Sequence, residues 1–89
     1  MSAKAKRDIV VTLEYVNYLG EVTDPQIIAE FRSKGWAKDF IFSLSAVRFG
    51  TAMSECVRYK VEIKSEDIVG YITYKGMDEV IKEAFVGVA

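Results

Sequence analysis

The chain contains no histidine. That removes the side chain most used for proton transfer near neutral pH, and the commonest metal ligand. Cys56 is the single cysteine. The chain therefore cannot assemble a Ser–His or Cys–His nucleophilic pair, a Cys/His zinc site, or an internal disulfide. A lone thiol fits a reducing compartment, and the expected location is cytoplasmic. No apolar stretch approaches the roughly 18 residues that a membrane span needs. The basic start, Met1 to Arg7, is not followed by the apolar core of a signal peptide. The six glycines are scattered, and none belongs to a phosphate loop or a dinucleotide fingerprint. No cofactor and no metal are expected, and neither is enzymatic activity.

What is present describes one small globular domain. Of 89 residues, 51% are hydrophobic and 28% charged, a composition that excludes disorder and leaves no room for two cores. Residues 1–6 read as a flexible basic tail and residues 7–89 as a single α+β domain. The apolar set is weighted to 8 Ile and 11 Val against 3 Leu. β-Branched side chains lose rotamer freedom in helices and pack well on a pleated surface, so a sheet should dominate. The net charge of −1 offers no broad attraction to a nucleic-acid backbone or an anionic membrane.

Alternation from Asp8 to Leu19 predicts a first strand, with Ile9, Val11, Leu13 and Tyr15 on one face and Gly20 breaking it. Apolar residues on both faces mark it as central or twice covered. Thr23-Asp24-Pro25-Gln26 has the form of a helix start, with a capping residue and proline at the first helical position. The spacing predicts a helix over 24–34 with Ile27, Ile28 and Phe31 as its stripe. Gly35 would be its left-handed cap, with Trp36 folding back onto Phe31. A second strand is expected over 39–49 and a third over 54–64. The third places Val57, Tyr59, Val61 and Ile63 inward and Arg58, Lys60, Glu62 and Lys64 outward. Residues 68–75 predict a fourth strand with a bulge at Gly70, a helical turn from Ser65 being the competing reading. A final helix over 77–86 carries Val80, Ile81, Ala84 and Phe85.

The expected fold is α+β: a mainly antiparallel sheet of three or four strands with two helices on one face, in the order β-α-β-β-β-α. The runner-up is a split arrangement of the ferredoxin-like type, β-α-β-β-α-β. Two short helices cover only one face, so apolar residues on the other should form an interface. The expected interface residues are Tyr18, Ile41, Val47, Phe49 and Tyr71, with Val16 and Val69 beside them.

Domains of this size without a catalytic signature are commonly adaptors, regulators or inhibitors, including those encoded by viruses and mobile elements. The leading expectation is a protein-binding module that covers a surface on another protein or on its own copy, as a homodimer. Behind it stands single-stranded nucleic-acid binding on the open sheet, where Arg58 and Lys60 would contact the ligand beside Tyr18 and Tyr71. Glu14 and Glu62 among those cations argue against it. A small cofactor-independent enzyme with a pocket between sheet and helices is the third. Cys56 beside Arg58 is read as a small packing residue, since no base accompanies it.

Overall fold

The computed structural model describes residues 7–47 and 56–88, with the side chains of 45–47 excepted. The alternating run at the start forms β1 (Ile9–Val16), which turns directly into β2 (Val22–Phe31). Helix α1 (Lys34–Val47) follows, then β3 (Val57–Ile63), a single 3-10 turn (Lys64–Glu66), β4 (Ile68–Thr73), a two-residue β5 (Gly76–Met77) and α2 (Glu79–Ala84). The five strands make one antiparallel sheet in the order β2-β1-β3-β4-β5. This is an α+β fold of order β-β-α-β-β-β-α.

The register decides which side chains share a face. Ile9 lies opposite Ile63 and Val11 opposite Val61, and beyond them stand Ile68 and Gly70. Successive strand residues point to opposite faces, so these positions form one apolar layer. Helix α1 lays Ala37, Ile41 and Leu44 on that layer at helical spacing, and α2 adds Ile81 and Phe85. The helices meet where Phe42 packs against Phe85 edge to face, with ring centroids 6.0 Å apart. Two lysines tether α1. Lys38 Nζ donates to the Val88 carbonyl at 2.6 Å, and Lys34 pairs with Glu66 at 2.6 Å.

The expected order β-α-β-β-β-α with three or four strands is overturned, since the sheet has five strands and a second strand stands where the first helix was expected. Residues 24–34 do not form a helix. Asp24 and Pro25 lie in an edge strand, within the second of two register shifts against β1, where Asp24 takes a left-handed φ of 50°. Proline is tolerated there because an edge strand need not donate on its outer side, and aspartate is among the residues that accept positive φ. The local signal for this strand is Asn17 to Gly20. Asn17 Oδ1 accepts from both the Leu19 and Glu21 amides at 2.9 Å, and Gly20 has φ 81°. Those contacts close a short hairpin loop, and a hairpin delivers the next residues as a strand.

Residues 39–49 do not form a strand. Their described part, through Val47, is the body of α1, and Ile41, expected on an open sheet face, is wholly buried in its middle. Gly35 is the second residue of that helix and not a terminal cap, and Trp36, instead of folding onto Phe31, is 77% exposed. Finally, Gly70 marks no bulge, since its pairing with Val61 continues the register of β4 without a shift. Its role is close approach: a Cβ there would stand 2.5 Å from Ile81 Cγ1 and 2.8 Å from Val80 Cγ1. With residues 68–73 a strand and α2 running close to the end of the described chain, the ferredoxin-like order is excluded as well.

Candidate interaction surfaces

The sheet face away from the helices carries Arg58, Lys60 and Tyr71, as the alternation of β3 and β4 requires. Their charges are already engaged. Arg58 Nε donates to Glu14 Oε1 at 2.7 Å, and the guanidinium lies 4.2 Å from the centre of the Tyr71 ring. Glu14 is 6% exposed, so the pair is shielded on its acidic side. Lys60 stands directly opposite Tyr71 and 4.0 Å from Glu62. The aromatic and basic residues therefore come together, and the acids come with them. The cation on the Tyr71 ring is the one Glu14 neutralises.

Of the expected interface residues, Tyr18 is 95% exposed and Tyr71 half-buried under Arg58, while Ile41 belongs to the core. The side chain of Val47 and all of Phe49 lie outside the described residues, as do residues 1–6. Val16 and Val69 remain on the outer face, half-buried and exposed respectively. The structure does not gather Tyr18, Ile41 and Tyr71 into one patch.

Exposed apolar surface gathers elsewhere, on β2. Every residue from Val22 to Ile28 is exposed, and of the strand's side chains only Ala29 and Phe31 pack on the core. Ile27 is 60% exposed. β2 is the sheet's outer strand, hydrogen-bonded to β1 alone among the described residues. The hairpin loop beside it holds out Tyr18 and Leu19 on a backbone fixed by Asn17. Sequence reasoning missed this surface because it assigned Ile27 and Ile28 to the buried stripe of a helix.

A second feature lies at the end of the sheet. A groove of about 330 Å³ is lined by Arg7, Glu30, Phe31, Arg32 and Trp36. Phe31 is held in place by Phe40, ring to ring at 5.6 Å. An adjoining hollow of about 290 Å³ is lined by Arg7, Asp8, Lys64 and Ser65. Asp8 is occupied there, accepting from the Ser65 amide and hydroxyl at 2.7 Å each.

Cys56 is exposed just ahead of β3, and its carbonyl accepts from the Val16 amide at 2.7 Å. Among the described residues no three acidic or cysteine side chains cluster as metal ligands, and no helix is long and apolar enough to cross a membrane. No protein family profile matches the chain, and no curated protein or solved structure matches it significantly.

Proposed function

We propose that this chain is a non-enzymatic protein-binding module whose binding surface is the outer edge of β2, where a second copy docks edge to edge. The observation that carries the reading is a ten-residue edge strand with Val22, Ile27 and Ile28 exposed. An unpaired edge offers a row of backbone donors and acceptors, and apolar side chains beside it add burial on pairing. A domain of 89 residues buries a modest share of its own surface, so association supplements its stability. Pro25 has no N–H to offer and Asp24 sits in a bulge. They block pairing ahead of Gln26, and the other register shift, which leaves Ile28 without a partner on β1, divides the remaining edge into 26–27 and 29–31.

Sedimentation at micromolar concentration tests this, comparing the wild type with Ile27→Asp/Ile28→Asp. The wild type should shift toward a dimer with concentration. The double variant should stay a monomer with a modest drop in melting midpoint, because Ile27 is 60% exposed but Ile28 only 40%. A wild type that remains a monomer, or a variant that still dimerises, would return β2 to an edge kept apart by its own proline and bulges.

A further inference from the structure

The groove at the end of the sheet supports a second inference, independent of the edge of β2. We propose that it binds single-stranded nucleic acid, with a base stacked on Trp36 and the adjoining phosphates held by Arg32, Arg7 and Lys64. Trp36 lies in the first turn of α1, where neighbouring Ala37 is the buried member. The indole is thereby turned outward beside Arg32. An exposed indole next to guanidinium groups is suited to a ligand with a flat π-face and a negative charge, and every nucleobase has that face.

The charge arrangement favours a polyanion over a single anion. Arg32 makes no ion pair among the described residues, and Arg7 is held only loosely, its Nε 3.9 Å from Glu30 Oε1. Arg7 lines both hollows, so the cations follow one another from Arg32 through Arg7 to Lys64, and Asp8, the carboxylate between the last two, is turned onto the Ser65 amide and hydroxyl. This is where the chain departs from the outer sheet face, on which Arg58 is committed to Glu14 and Lys60 lies near Glu62. Glu30 is the one carboxylate in the first groove. It repels phosphate but accepts from a base amino group, as acidic side chains do with the exocyclic amine of cytosine. The volume of the first groove, about 330 Å³, is at the lower end for organic ligand sites and suits one base with its sugar.

Trp36 is the only tryptophan in the chain, so its fluorescence reports on the groove alone. The wild type is titrated with a short oligodeoxycytidine, with inorganic phosphate and with a glutamate-rich peptide. Arg32→Ala and Arg7→Ala are titrated with the oligonucleotide. Binding of a labelled oligonucleotide is followed by anisotropy for Trp36→Ala, where the fluorophore is lost. Saturable quenching by the oligonucleotide is expected, with affinity reduced about tenfold in Arg32→Ala and at least as much in Trp36→Ala. The logarithm of the binding constant should fall with log salt by about 0.7 per phosphate contact, and less steeply in the arginine variants. Melting curves verify that each variant is folded. The proposal is overturned by absence of quenching, by quenching that inorganic phosphate reproduces, by affinity unchanged in Arg32→Ala, or by the acidic peptide binding more tightly than the oligonucleotide.

Discussion

Glu14 on β1 and Arg58 on β3 are direct cross-strand partners, and the bond between them, 2.7 Å from Nε to Oε1, lies on the sheet face that no described helix covers. The Glu14 side chain is 8% exposed and that of Arg58 29%. Removing the arginine leaves a buried carboxylate without its donor, whereas removing the acid leaves a cation that still reaches water and the Tyr71 ring. Arg58→Ala should therefore cost more than Glu14→Gln, about 2 kcal/mol against about 1 kcal/mol. Denaturant midpoints of the two variants check the order. The reverse order would mean that Glu14 is hydrated despite its burial.

Gly70 is needed for its size. Ile81 is β-branched, lies on a helix and is wholly buried, so its χ1 cannot swing away from an added methyl. Gly70→Ala should destabilise by about 2 kcal/mol by pushing α2 off β4. Ile81→Ala is destabilising alone through the cavity it leaves. In the double variant the methyl fills space that Ile81 vacates, so the combined loss should be well below the sum. Additive losses in thermal melts would show that the two positions do not meet.

Gly35 gives a test with the opposite sign. In the first turn of α1 it has a helical conformation and is exposed. Glycine is disfavoured there relative to alanine, so Gly35→Ala should stabilise by roughly 0.5–1 kcal/mol. A left-handed helix cap would instead lose stability on the same change. The direction of the shift in melting midpoint distinguishes the two.

Asp8 ties the start of β1 to the turn after β3. Its two carboxylate oxygens accept from the Ser65 amide and hydroxyl, and its carbonyl accepts from the Lys64 amide at 2.9 Å. Asp8→Asn keeps one acceptor, while Asp8→Ala keeps none. The alanine variant should lose about 1–2 kcal/mol and the asparagine variant less. Amide hydrogen exchange at Ser65 should accelerate in Asp8→Ala, while exchange in the middle of β3 is unchanged.

Some of this architecture was legible in the residues. That Ile9, Val11, Val61 and Ile63 share inward strand faces, and Ile81 and Phe85 the stripe of the last helix, follows from periods of two and 3.6, while the pairing of β1 with β3 does not. The segment 22–47 was not legible, because each half carries the local signals of the other's structure. Thr23-Asp24-Pro25-Gln26 can cap a helix or kink an edge strand. Phe40, Phe42 and Leu44 alternate like a strand, while Ala37, Ile41 and Leu44 recur like a helix. Asn17 to Gly20, read only as a break, was the local evidence for a hairpin.

The candidate surfaces divide in the same way. The meeting of Arg58, Lys60 and Tyr71 follows from strand alternation, and so does the presence of Glu14 and Glu62 among them. The exposure of Ile27 and Ile28, and the company Trp36 keeps with Arg7 and Arg32, do not. The residues by themselves determined an α+β fold without histidine chemistry, with strands at β1 and β3 and a helix at α2, because periods of two and 3.6 leave those segments one assignment, whereas 68–73 kept a helical competitor. Tertiary structure decided that β2 is the edge of the sheet and that 34–47 is a helix. Hairpin closure at Asn17 sets β2 beside β1, and the layer of Ile9, Val11, Val61 and Ile63 gives Ala37, Ile41 and Leu44 a surface that only a helical arrangement lets them share.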